Sequence, residues 1–329
     1  GTTNITASKA APSTHSAVSA SYTLTVTSAD YVSSYIGTLK YVPTGRFQRD
    51  GTATNITVME SPYRMSATEI TRAQFTAVMR VDPSDDSKSS GSSADPVQQI
   101  SWYDAIAFCN KLSLAEGLTP VYNVEGVNFS TLTYAQIPND TNGAKTYISY
   151  PNTWHTEWFA SVDWDANGYR LPTEMEWMWA AMGATCDRSN GYTGNGVNTT
   201  GYTKGYAGSS ESGSAQVNMG SYVVFDQSKT SVVGSKLPNE LGLYDMTENV
   251  WEWVWDAQIA GGIPAGTLYS NTYRGNTTLT GDTNILYRMQ RGGSYGYESG
   301  EAPLMVKYRP SGRSLWTKAQ YTGFRVVRN

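Results

Sequence analysis

Histidine and cysteine are almost missing from this sequence, at two residues each among 329. Cys109 and Cys186 are too few for a disulfide framework. Cys109 lies in an apolar helical run and reads as a small buried hydrophobe, with a bond to Cys186 as the alternative. His15 and His155 cannot assemble a histidine-ligated metal centre or supply general-base chemistry. Charge is scarce too, at 16% of residues, with Lys+Arg 24 against Asp+Glu 28 and no basic run. That balance excludes nucleic acid and anionic membrane as partners. No stretch approaches the roughly 18 consecutive apolar residues of a membrane span. The sequence opens without a charged or apolar leader, so any export signal is expected to have been removed, and membrane attachment would run only through a removed or lipidated N-terminal anchor.

What the chain does have is aromatic and flexible material: Tyr 23, Trp 10 and Gly 31. This composition describes a dense, loop-rich body rather than a disordered chain. The length suits one large domain with a tail. Residues 1–20 are mostly Ala, Ser and Thr and cannot bury enough apolar surface to offset their ordering entropy, so 1–40 reads as a tether followed by a leading strand, and 41–329 as the main domain. The stretch 183–214 lacks periodicity and reads as a long surface excursion.

Three helices are marked by their start signals. Thr71 with Gln74, Ser101 with Asp104 and Thr173 with Glu176 each place a cap hydroxyl three residues ahead of a side chain able to reach back to the cap N–H. The remainder reads as short strands and long loops.

Five ordered segments carry a family resemblance: 41–47 (YVPTGRF) with 69–75 (EITRAQF); 96–109 (PVQQISWYDAIAFC); 168–177 (GYRLPTEMEW); 239–253 (NELGLYDMTENVWEW); and 291–295 (RGGSY) with 323–327 (GFRVV). They resemble the formylglycine-generating enzyme (sulfatase-modifying factor) family. The resemblance implies an α+β, C-type-lectin-like fold, irregular and loop-rich, with few helices, short antiparallel sheets and terminal strands brought together. Trp102, Trp177, Trp251 and Trp253 read as core, and Gly292 with Gly293 as a tight strand entry.

In that family, activity depends on two cysteines spaced five apart after the RGGS-aromatic motif. Here those positions are Tyr297 and Ala302, and neither can form a thiolate. A sister branch uses three histidines to hold iron, which this chain cannot supply. The family's calcium ligands fall on the side chains of Asp245 and Glu252 and the carbonyls of Glu248 and Val250, a hard-oxygen set that suits structural calcium; no other cofactor is required. Glu248 stands where the family usually has Gly. Residues 163–168 with Glu174 spell an EF-hand loop, but the cap at Thr173 makes a plain Asp-Asn-Gly turn the better reading.

Between the last two motifs lies a segment, about 296–321, rich in Tyr, Trp, Ser, Gly, Arg and Lys, the residues from which antibody loops build contact surfaces. Its candidate ligand-binding residues are Tyr297, Glu298, Ser299, Glu301, Lys307, Tyr308, Arg309, Ser311, Arg313, Ser314, Trp316, Lys318, Gln320 and Tyr321. Their side chains are expected to be mostly exposed on one face, while 304–306 reads as a buried strand. Such a segment enclosed by scaffold motifs resembles the variable proteins of diversity-generating retroelements, the treponemal variable proteins in particular. That resemblance implies a non-catalytic, monomeric, lipid-anchored receptor or adhesin on the extracellular face of a bacterial outer membrane, binding a protein or glycan on a host or neighbouring cell. The rival readings are an enzyme using Glu298 and Glu301 as an acid/base pair, a calcium-dependent sugar binder (whose signature triplets are absent), and a purely structural surface protein.

Overall fold

The computed structural model describes residues 2–9, 18–25, 29–138, 145–148, 153–156, 158, 160–184, 196–209, 218–258, 269–270, 287–297 and 305–329. Three helices begin where the capping boxes place them: α1 (Arg72–Met79), α2 (Trp102–Ala115) and α3 (Glu174–Ala181), each with both reciprocal cap hydrogen bonds formed. Helix α2 is buried over most of its length, and all of α3 is buried. Each is therefore apolar round most of its circumference, as an interior helix must be.

Among the described residues, three four-stranded sheets surround these helices. In the first, the strand order is Val327–Arg328, Tyr63–Ser66, Gly37–Val42, Tyr31–Ser33, all antiparallel. The terminal strands thus share one sheet, as the family resemblance implies. Arg328 reinforces the closure, stacking 4.2 Å from the Tyr31 ring and 5.5 Å from the Tyr169 ring. Tyr31 and Tyr169 both donate to the Glu116 carboxylate just beyond α2. A boundary at residue 40 would cut strand Gly37–Val42, so the leading strand is part of the main body.

Ahead of it, Thr2–Lys9 pairs antiparallel with Val18–Thr25. This corrects the expectation of an unstructured tether: a Thr-rich ribbon has no core-forming side chains, but its β-branched residues suit strand backbone.

The second sheet orders Val197–Asn198, Gly45–Gln48, Ile56–Met59, Tyr269–Ser270, and both of its outer contacts are parallel. The third orders Arg313–Ser314, Tyr287–Arg291, Trp251–Ala257, Thr322–Phe324. Its last contact is parallel, so the sheets are mixed rather than purely antiparallel. Two apolar cores meet here, one around α2 and one around α3.

Gly323 shows how tightly the third sheet is packed. A Cβ there would lie 2.6 Å from the Val97 carbonyl oxygen and 2.8 Å from Val250 Cγ2. Gly323→Ala is expected to cost about 2 kcal/mol, because one contact is backbone that cannot swing aside. A denaturation midpoint equal to that of the parent would refute the packing argument.

Candidate ligand-binding site

The third sheet carries the candidate site. Of the fourteen expected ligand-binding residues, Glu298, Ser299 and Glu301 lie outside the described residues, as does Ala302. Lys307, Ser311 and Arg313 are exposed, while Tyr297, Tyr308, Arg309, Ser314, Lys318, Gln320 and Tyr321 are half-buried. Trp316 is a correction: it is only 8% exposed and joins the core around α2. A turn closed by the Thr317 N–H on the Ser314 carbonyl drops Leu315 and Trp316 inward, and the Leu315 carbonyl accepts the Trp102 N–H. The expectation of mostly exposed side chains therefore holds for only part of the face. The buried strand expected at 304–306 is also absent among the described residues: Met305–Lys307 is a turn, although Val306 is buried.

Scaffold side chains fix the segment's backbone. Arg291 of the RGGS motif is buried and donates Nη1 to the Tyr308 carbonyl and Nη2, at 3.2 Å, to the Val306 carbonyl. Its guanidinium stacks 5.3 Å from the Trp177 ring and lies 3.9 Å from the Glu174 carboxylate. Burial pushes Arg291 down to about 10. Gly312 donates its N–H to Gln258 Oε1, and Tyr287 and Arg288 pair with Ser314 and Arg313. On the far side the Tyr321 carbonyl accepts the Trp251 N–H at 2.8 Å.

The segment's four cations divide into two kinds. Arg309 donates to the buried Glu174 carboxylate at 2.7 Å, at the start of α3. Lys318 reaches the buried Asp104 carboxylate at 3.0 Å, in the first turn of α2, and lies over the Tyr134 ring at 4.8 Å. Both carboxylates also sit at helix N-termini, where negative charge is favourable. Lys307 and Arg313 have no ion-pair partner among the described residues and are exposed. Asp104, Glu174, Arg291 and Gln258 are site residues that the sequence reading did not select, although Asp104 and Arg291 stand inside the motifs it singled out.

Beneath the segment, Trp251 supports two tyrosines. Its ring meets Tyr297 edge-on at 5.9 Å and Tyr308 at 6.2 Å with a 41° tilt. Burial and the neighbouring Tyr308 push the Tyr297 phenol up, and the Arg313 charge opposes them.

The calcium set does not fit its expected role. Both Glu252 oxygens accept from Arg325, at 2.7–2.8 Å, and Trp177 Nε1 donates to the same carboxylate at 2.7 Å. One Asp245 oxygen accepts the Gly234 N–H. A guanidinium thus occupies the cationic place beside Glu252. Among the described residues no group of three or more His, Cys, Asp and Glu side chains is arranged to hold a metal. The loop still takes the left-handed turn despite lacking glycine: φ is 54° at Asp245, 69° at Glu248 and 64° at Asn249. The Asp-Asn-Gly stretch is a plain turn, with Asp163 capping the Asp165 N–H. Cys109 is a buried thiol whose ionisation burial opposes, so it is no nucleophile. Cys186 and the His155 side chain lie outside what is described.

The sulfatase-modifying factor enzyme 1-like domain matches residues 26–329. The chaperone protein LppX of Paenibacillus barcinonensis is 30% identical over 214 residues, 61% of this chain and 64% of that protein, so the chain spans less than two thirds of that relative's length. Among solved structures, Treponema denticola variable protein 1 superposes with a TM-score of 0.70 at 28% identity, covering 91% of this chain and 98% of the other. CarF superposes at 0.55 with 24% identity, covering 88% and 97%, and shares the fold.

Proposed function

From the premise that this chain belongs to the sulfatase-modifying factor enzyme 1-like family, we propose that it is a non-catalytic receptor, displayed at the cell surface through its N-terminal end, which captures its ligand on the segment after the RGGS motif. The observation that carries this reading is the division of labour within 305–321. Its backbone hangs from Arg291 and its anchoring cations from Glu174 and Asp104, while Lys307, Ser311 and Arg313 project into solvent. A rigid frame with a few exposed, chemically varied side chains is how loops bind on scaffolds.

Support against catalysis comes from the chemistry present. Tyr297 stands where the family's enzymes carry a thiol, packed edge-on against Trp251. The Treponema denticola structure, similar over nearly its whole length, is of a variable protein. The Paenibacillus relative carries the name of a chaperone. A chaperone surface needs exposed apolar area, and among the described residues 305–321 contribute no exposed large hydrophobic side chain.

Replacing Lys307, Ser311 and Arg313 together with Ala tests the reading. Surface changes usually cost under about 0.5 kcal/mol each, so the melting temperature should stay within roughly 3 °C of the parent's. Capture of intact target cells by the immobilised protein should fall at least tenfold. Undiminished capture would remove the segment from the binding surface.

A further inference from the structure

Resting on that reading, we infer that the exposed part of the segment recognises a carboxylated sugar, the acidic group seated against Arg313 and the sugar ring against Tyr297 and Tyr308.

The charge argument comes first. On a chain of net charge −4, Lys307 and Arg313 are two exposed cations with no ion pair among the described residues, whereas Arg309 and Lys318 in the same segment are tied to buried carboxylates. A cation left unpaired on a surface built for contact is available to an anion from outside. A guanidinium fork matches a carboxylate in two parallel hydrogen bonds, which a lysine cannot do.

The aromatic argument is independent. Tyr297 and Tyr308 both pack against Trp251, which is itself buried, so their half-exposed rings are held at fixed angles. Each offers an apolar face and a hydroxyl together, which suits a ring that is apolar on its faces and hydroxylated on its edge. The response of the Tyr297 phenol to Arg313 places the guanidinium beside these rings. The buried Glu248 carboxylate also acts on Tyr297 from the loop beneath, which leaves the solvent side, with Arg313, as the approach for an anion. Ser311, Ser314 and Gln320 supply short hydrogen-bonding groups for further sugar hydroxyls.

An acidic peptide fits less well. Peptides are held by strand addition or by apolar pockets for their side chains. The outer strand here, Arg313–Ser314, is two residues long, and among the described residues 305–321 expose no large hydrophobic side chain. The site is also preorganised, because the Val306 and Tyr308 carbonyls and the Gly312 N–H are already held, so little ordering cost falls on binding.

The test uses the full chain against an immobilised panel of sialylated and uronic-acid-terminated oligosaccharides, each beside its own methyl ester, with a pentaglutamate peptide as competitor. At least one acid form should be retained at least tenfold better than its ester. Arg313→Gln should lose that preference about tenfold at unchanged melting temperature, Arg313→Lys should lose it in part, and Tyr308→Phe should weaken acid and ester alike. Equal retention of acid and ester, no effect of Arg313→Gln, stronger competition by pentaglutamate than by free acid sugar, or retention of no glycan at all would each overturn the inference. The receptor reading fails separately, through undiminished cell capture by the triple alanine variant.

Discussion

Arg325→Met is expected to destabilise the protein by about 4 kcal/mol at neutral pH, lowering the melting temperature by roughly 10 °C. Arg325 is fully buried and makes a bidentate contact with Glu252, and it also donates to the carbonyls of Ser66, Tyr244 and Asp245. Glu69 and Asp245 are buried close enough for their charges to act on the same group. The removal would strand Glu252 and leave a cluster of buried carboxylates with no cation among them.

The pH dependence has a definite sign. Burial, then the charges of Asp245 and Glu252, push Glu69 well above its ordinary 4.5, and burial pushes Asp245 from 3.8 up to about 6. A raised acid binds its proton more tightly in the folded state, so its stabilising contribution is complete below the unfolded value and is lost as pH rises through the folded one. Arg325 lowers both values, so Met at this position raises them further. The deficit in melting temperature should therefore be smaller at pH 5 than at pH 8. Calorimetry at the two pH values decides the matter, and equal deficits would mean that these carboxylates do not sense Arg325.

Arg291→Ala should be nearly as damaging, at about 3–5 kcal/mol. It leaves the Val306 and Tyr308 carbonyls without their donors and opens space against Trp177. Unlike replacement of the exposed positions, it should remove stability and ligand capture together, because the segment loses the hold on its backbone. Arg291→Lys should recover less than half of the stability: a point charge cannot serve two carbonyls and stack on an indole at once. Limited proteolysis within 305–321 provides the structural readout, and an Arg291→Ala protein that captures ligand normally would show that the frame does not set the site.

The parts of this fold visible in the sequence are those governed by local chemistry. Each capping box is a reciprocal contact within three residues, so Thr71, Ser101 and Thr173 announce their helices unaided. The five motifs mark the scaffold, and Trp102, Trp177, Trp251 and Trp253 are core as read. The candidate site was legible as a segment but not residue by residue. Arg309 and Lys318 look like ligand-facing cations until Glu174 and Asp104, far off in the chain, are brought to them. Trp316 has the composition of a contact residue and the position of a core one, and only the turn at 314–317 distinguishes the two. The positive φ at Glu248 shows the limit of reading glycine as a requirement: the loop conformation is set by the packing around it, and a fully buried glutamate tolerates it.

The shared terminal sheet has a mechanical consequence for a protein held at one end and loaded at the other. Tension entering from the N-terminal side meets Tyr31–Ser33 first, and that strand is coupled through the Tyr31–Arg328 stack to the last strand of the chain. From there the load path runs back through Phe324 and Thr322 to the segment that grips the ligand. Force would thus pass between anchor and ligand by a short route along the terminal strands, sparing the helices, and the first element to peel would be the edge strand at Tyr31 rather than the binding face.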